Sequence, residues 1–205
     1  TREDNLMRFE REGISGRGEI SLLALTNISL LAKKARLEAE QAGSEEITFP
    51  PALASRTADG MTADGMFTLI MQQERSIFAA RKDAMITQLR ALRELKVFLV
   101  KELASLEKQL TFHDRQIELI QKELAGVSAL VQKGLTVAPR EMSLERTVAQ
   151  MQSDRLAAET SLLRVRQEMS KTDIAILDLN NRHANEVAQT LRETQLELDE
   201  TVRKT

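Results

Sequence analysis

Two histidines, His113 and His183, are the first side chains of this sequence that could do chemistry. An imidazole titrates near neutral pH, so it serves as a general base, a pH switch or a metal ligand. The sequence has no cysteine, which excludes thiol catalysis, thiolate metal sites and disulfides. We expect the two histidines to lie on different helical arms and not opposite each other. That placement does not make a metal site.

Carboxylates are the second candidates for chemistry. The adjacent Glu45 and Glu46, and Glu102 or Glu123, could act as acid–base pairs. Such pairs need an enclosed pocket that shifts their pKa values, and a charged face in solvent is the competing interpretation. The segment 13–18 (GISGRG) is similar to a phosphate loop. We expect no strand before it, and no Lys-Ser/Thr pair follows it, so it does not meet the phosphate-loop pattern. No catalytic residue, metal site or cofactor is predicted.

Composition indicates what elements hold these side chains. Of 205 residues, 29% are charged and 3% aromatic, with 8 Gly and 3 Pro. Few rings and few turn residues argue against a β-rich fold or a compact α/β enzyme and favour long helices. The net charge of −2 gives no reason to expect nucleic acid as a partner. No apolar run approaches the roughly 20 residues that span a bilayer.

Proline and glycine predict where the helices end. We expect an N-terminal helical segment over residues 1–43, interrupted at Gly13–Gly18 and stopped at Gly43. An extended connector follows over residues 44–63, through Pro50-Pro51. The predicted hairpin covers 64–205, with Asp64 as an N-cap and its tip at about residues 133–140. The chain begins Thr-Arg-Glu-Asp without a methionine, so we expect it to be an excised fragment.

The long arms carry a heptad pattern. Alternating steps of three and four from Met71 to Val131 meet an apolar residue almost everywhere, and from Leu99 onward His113 is the exception. The return arm repeats the pattern, less regularly, from Leu144 to His183, after which the apolar positions shift. A period of 3.5 is typical of a coiled coil. The sequence therefore predicts an all-α, elongated antiparallel coiled-coil hairpin, with a shorter third helix packed near its base.

Folding the arms about residue 136 brings His113 near Ala158 or Leu162. We interpret His113 as a polar residue that fixes the register of the coiled coil.

The turn itself is the predicted functional site. Exposed apolar side chains at the end of a hairpin form either a structural plug or a partner-binding tip. Both interpretations stay open on physical grounds. The predicted docking residues are Lys133, Gly134, Leu135, Thr136, Val137, Pro139 and Arg140.

Several ordered motifs resemble a known family. Residues 73–82 (QERSIFAARK) are similar to the stretch that opens the hairpin of HlyD-like periplasmic adaptor (membrane fusion) proteins. Residues 130–135 (LVQKGL) with Pro139, Arg140 and Leu144 resemble that family's tip. Residues 37–43 (LEAEQAG) and 47–50 (ITFP) resemble its connector. The hairpin of ExoF-like exopolysaccharide export proteins is similar too, and the opening residues 2–10 look more like that type.

The resemblance implies a non-catalytic, periplasmic spacer and docking element of a Gram-negative envelope export system. Its partners would be an outer-membrane channel or inner-membrane transporter and like copies of itself, side by side. We take exopolysaccharide export as the main hypothesis and the hairpin of a type I secretion adaptor as the alternative. A structural coiled-coil arm of a cytosolic machine is the second alternative, and an enzyme is remote. Nucleic acid and small-molecule substrates are not expected.

Overall fold

The computed structural model describes residues 2–54 and 63–204, with side chains at 22–51, 53 and 65–204. Four helices account for most of them: α1 (Arg2–Ala42), the short α2 (Pro51–Ala54), α3 (Ala63–Gln132) and α4 (Ala138–Lys204). The described ranges contain no β-strand. The predicted all-α class is therefore confirmed. Residues 55–62 hold part of the predicted connector, which lies there outside the described residues.

The chain divides into two compact units. The first comprises residues 1–88 and 179–205, and the second comprises residues 89–178. Helices α3 and α4 contribute residues to both units, whereas α1 and α2 belong to the first.

Ion pairs across the second unit show that its two helices are antiparallel. Along α3 the residues 96, 107, 114 and 123 meet α4 residues of steadily falling number. The pairs are Lys96–Asp173 (2.6 Å), Glu107–Arg166 (3.3 Å), Asp114–Arg155 (2.5 Å) and Glu123–Arg140 (2.8 Å). The antiparallel hairpin predicted from the heptads is confirmed.

Burial follows the predicted heptad register closely. We call the a and d positions of the two long helices the seam. From Met85 to Val131, every seam position on α3 is buried or half-buried, and most of the positions between are exposed. On α4 the same holds from Leu144 to His183, with Leu162 and Val165 only 5% and 7% exposed. Two helices of this length would not persist singly in water, and the shared apolar stripe stabilises both. From Met71 to Val131, Arg75 is the one exposed residue of the seam on α3.

Helices α1 and α3 end in the same way, on a glycine with positive φ. At the end of α3, the Gly134 amide donates to the Val131 carbonyl (2.9 Å) and the Leu135 amide to the Leu130 carbonyl (2.9 Å). Gly43 and Ser44 repeat this pattern after α1, with bonds to Glu40 and Ala39. Both are Schellman motifs, and the φ angles of 64° and 67° explain why glycine stands there.

Three boundary predictions need correction. The interruption expected at Gly13–Gly18 is wrong, because α1 runs through these glycines without a break. Glycine weakens a helix by about 0.5–1 kcal/mol but does not forbid it. Asp64 is not an N-cap: α3 begins at Ala63, so Asp64 lies inside the first turn. In the described part of the connector, the extended path ends at Pro50: Pro51 opens α2, and the Leu53 amide donates to the Pro50 carbonyl (2.9 Å).

Small side chains let α1 pack closely in the first unit. Ala32, Ala35 and Ala39 are almost completely buried along one face of α1. At its core, Ile28 and Ala32 form a cluster with Leu53 of α2 and Phe67 of α3. The connector joins this cluster through Phe49, whose ring lies 5.3 Å below the Arg75 guanidinium. A shorter helix packed on the hairpin arms was predicted and is present.

An ion cluster links the three long helices within the first unit. Arg36 of α1 is 7% exposed, donates to Glu74 of α3 at 2.6 Å and also pairs with Glu40. Glu40 in turn meets Arg81 (3.0 Å), which reaches Glu186 of α4 (3.0 Å). Burial disfavours the charge of Arg81, but bonds from Arg81 to Glu186 and Glu40 outweigh this and raise its pKa.

We expect Glu74→Ala to destabilise the protein strongly. The substitution removes one carboxylate from the buried Arg36 guanidinium, and breaking a buried pair costs about 3–5 kcal/mol. Urea unfolding followed by circular dichroism measures the loss. Glu118→Ala is the control, because Glu118 pairs with Arg115 and Lys122 in solvent and its loss should barely move the midpoint. Equal shifts for both variants would contradict a stabilising role for the cluster.

Two glycines should respond to alanine with opposite signs. At Gly134 an added Cβ has open space, so its cost is the left-handed backbone alone, about 1–2 kcal/mol. At Gly126, inside α3 and also in open space, alanine should stabilise by about 0.5–1 kcal/mol. Thermal unfolding of Gly134→Ala and Gly126→Ala tests this. The same direction of change in both would show that the turn is not strained as described.

Candidate functional site

The candidate site is the turn between α3 and α4, and its backbone is held rigidly. The Schellman motif at Gly134 ends α3, and α4 begins at Ala138. The Arg140 amide donates to the Val137 carbonyl (3.2 Å), which starts the new helix. Pro139 fits the first turn because its missing N–H would have no partner in the helix there. Five residues, 133–137, therefore reverse the chain, and backbone hydrogen bonds anchor both ends of the turn.

The predicted docking residues all lie together at this turn. Leu135 is 71% exposed and Val137 67%, the two highest exposures among the large hydrophobic side chains described. Between them, Thr136 is half-buried. Gly134 and Pro139 form the backbone of the turn and are also exposed. The arrangement presents two apolar side chains to solvent from a fixed backbone.

Charged residues border the apolar turn. Arg140 is held by Glu123 across the hairpin at 2.8 Å, so its guanidinium is directed back onto α3. Lys133, the last residue before Gly134, is exposed. The turn therefore has an apolar centre bordered by Lys133 and by the Glu123–Arg140 ion pair.

Sequence reasoning missed part of this surface. Met142, in the first turns of α4, is 51% exposed, and Leu130 at the end of α3 is 44% exposed. Both are close in sequence to Leu135 and Val137, so the exposed apolar residues around the turn run from Leu130 to Met142. The available signal was that Met142 lies off the seam, where an apolar residue has no partner within the hairpin.

The two histidines lie on different helical arms, as expected: His113 is in α3 and His183 in α4. His113 belongs to the second unit and His183 to the first, and each occupies a half-buried seam position. The Asp114–Arg155 ion pair shows which part of α4 lies beside His113. Along the hairpin axis, His113 is at about the same height as the buried Ala158. Among the described residues, no group of three or more metal-binding side chains comes together.

Two of the four candidate acid–base carboxylates are in ion pairs. Glu45 is paired with Lys82 at 2.6 Å, and Glu123 with Arg140. Glu46 and Glu102 are exposed on the surface. None of these arrangements encloses a carboxyl group in the way that general acid–base catalysis requires.

A groove of about 490 Å³ lies between α3 and α4 in the first unit. Arg81, His183 and Glu186 line it, over the apolar side chains of Met85 and Leu179. Arg81 and Glu186 already bind each other as part of the ion cluster. Among the described residues that line it there is no serine or threonine.

No helix in the described parts of the chain is both long and apolar enough to cross a membrane.

Comparisons with known proteins find the same helical-hairpin architecture. The family model described as "AprE, long alpha-helical hairpin" matches residues 17–205. The chain is 25% identical over 189 residues to the type I secretion system membrane fusion protein PrsE of Rhizobium meliloti (strain 1021). That match takes in 92% of this chain but 42% of PrsE, so the chain spans less than half of that relative.

A solved structure shares the fold. The soluble domain of LipC, a membrane fusion protein of a type I secretion system, superposes with a TM-score of 0.85 at 18% identity. The match covers 92% of this chain and 86% of that one. At this identity the likeness to LipC shows the fold alone, and it is the match to PrsE that favours the adaptor alternative over the exopolysaccharide hypothesis. With the family model covering most of the sequence, the chain belongs to the family of the AprE long α-helical hairpin.

Proposed function

We propose that this chain is the hairpin of a membrane fusion protein in a type I secretion system. It would act in the periplasm of a Gram-negative envelope, as a spacer and docking element between the transporter and the outer-membrane channel. The family match and the names of the two relatives support this assignment. The cargo would then be a polypeptide.

The observation that carries the docking role is the exposed apolar turn. Leu135 and Val137 remain largely in solvent although the backbone around them is fixed by two helix termini. Burying them on a partner would gain free energy without a further ordering cost for the turn. A plain structural turn would gain nothing from leucine and valine at these positions.

A role without catalysis fits the rest of the molecule. Three charged side chains that could act in chemistry, Glu45, Glu123 and Arg81, are engaged in ion pairs. We propose further that several copies lie side by side, since a single pair of helices encloses no passage for cargo.

The double substitution Leu135→Ser with Thr136→Ala should abolish most export. It removes an apolar anchor at the turn, and loss of one interface anchor lowers affinity by about tenfold or more. The measurement is made in a strain whose own gene copy is replaced by the variant. Mass spectrometry of the culture medium quantifies secreted polypeptides, and a carbohydrate assay quantifies exopolysaccharide.

Leu196→Ser is the matched control, because Leu196 is 63% exposed on α4 and far in sequence from the turn. It should leave secretion unchanged. Export that persists with the turn variant would exclude docking through Leu135. Loss of polysaccharide with normal polypeptide secretion would instead support the exopolysaccharide hypothesis.

A further inference from the structure

Two rows of uncharged residues run along the second unit outside the seam, at every seventh position. The row on α3 is Ala91, Phe98, Ser105, Phe112, Leu119 and Gly126. The row on α4 is Met142, Ala149, Leu156, Leu163, Ser170 and Leu177. We call these the α3 row and the α4 row. No charge interrupts either, although 29% of the whole chain is charged.

The large members of both rows are exposed. Phe98 is 63% exposed, Phe112 62% and Leu119 52%. On the α4 row the values are 62% for Leu156, 58% for Leu163 and 62% for Leu177. These exposed phenylalanines and leucines lie off the seam and have no role in holding the hairpin together. Such an exposed apolar surface is typical of an interface.

The two rows lie on opposite faces of the hairpin. On α3, with Leu99 at a d position of the heptad, the α3 row occupies the c positions, which lie next to the g positions on the helix surface. On α4, with Val165 at a d position, the α4 row occupies the b positions, which lie next to the e positions. In this antiparallel pair e meets e, as in Glu107–Arg166, and g meets g, as in Glu123–Arg140. The α3 row therefore flanks the g side of the seam, and the α4 row flanks the e side. They do not meet within one chain.

The rows are nevertheless matched level by level. The pairs Lys96–Asp173 and Asp114–Arg155 fix which residues of the two helices share a height. At the shared heights, a small residue of one row stands level with a large residue of the other in every case except Phe112 with Leu156. The other pairs are Ala91 with Leu177, Phe98 with Ser170, Ser105 with Leu163, Leu119 with Ala149 and Gly126 with Met142.

We propose that the α3 row of one copy packs against the α4 row of the next copy, at equal height. Small residues would then receive large ones from the neighbour, as knobs fit holes. Because each copy uses two different faces and the heights agree without an axial shift, the contact is heterologous and can close into a ring. This inference rests on the proposed side-by-side function and assigns the surfaces that it uses.

Charges beside the rows agree with this pairing. On the outer flank of the α3 row the f positions are mainly basic: Lys101, Lys108, Arg115 and Lys122, with Glu94 as the exception. The e positions beside the α4 row are mainly acidic: Glu145, Glu159 and Asp173, with the neutral Gln152 and the basic Arg166 as the exceptions. For antiparallel helices packed through c and b, the f flank of one faces the e flank of the other. Opposite charges would therefore border the contact.

Cysteine cross-linking tests the assignment directly, since the native sequence has no cysteine. Ser105→Cys with Leu163→Cys should give disulfides between copies on mild oxidation, seen as a ladder on a non-reducing gel. The control pair is Ser105→Cys with Arg164→Cys, which keeps the height but turns the second thiol off the α4 row. We expect cross-linking at least about tenfold faster for the first pair, because disulfides need closely apposed Cα atoms.

An exchange of sizes provides a second test that does not depend on disulfides. Ser105→Leu places two large residues together, and Leu163→Ser leaves a hole, so each should raise the dissociation constant of the assembly about tenfold. The double variant restores one small and one large residue and should recover assembly. Sedimentation velocity measures this. Both sites are exposed, so thermal unfolding of the single chain should not change.

The result is separable from the docking role of the turn. When Leu135→Ser and Thr136→Ala are added to the Ser105→Cys, Leu163→Cys chain, its two thiols should cross-link as before, even if export is lost. Equal cross-linking of the test and control pairs, or no recovery in the size-exchange double variant, would overturn the pairing of the two rows. Either outcome would leave the role of the turn untouched.

Discussion

The continuous contact along the a and d positions is the constraint on which the rest of the structure depends. Neither α3, with 70 residues, nor α4, with 67, would be stable in water without the other. Leu, Ile and Val fill a stripe one side chain wide, so aromatic rings are not needed there. The same narrowness leaves most of the described residues of both helices in solvent.

The first unit differs from the second in that three long helices, α1, α3 and α4, pack together there. Small residues on α1 allow close approach, and the remaining space is filled by a modest cluster around Ile28, Leu53 and Phe67. Arg36 and Glu74 are also buried, as an ion pair, and Glu40 extends the contact to Arg81. Buried ion pairs tolerate little change in geometry, so this cluster favours one arrangement of the three helices over others.

Function follows from what the seam leaves exposed. A hairpin that buries one stripe can present apolar residues at its turn and on its outer faces without weakening itself, because those residues contribute nothing to the seam. Leu135 and Val137 at the turn, and the two uncharged rows along the arms, are of this kind. We propose that the turn binds a different partner and that the rows bind a second copy. The family match to a long helical hairpin is consistent with a molecule that works through such surfaces.

The local features of this protein could be derived from sequence alone. The heptad period, the glycine ends at Gly43 and Gly134 and the position of the turn depend on neighbouring residues, whose geometry is the same in any protein. Tertiary structure decided what depends on distant partners. The residues around Arg36 do not predict that it is buried against Glu74, because the two are 38 residues apart in the sequence. The continuity of α1 through Gly13–Gly18 also went beyond local preference, since a glycine's cost is small against that of breaking a long helix. The faces of the two rows, and their equal heights, required the observed register of α3 against α4.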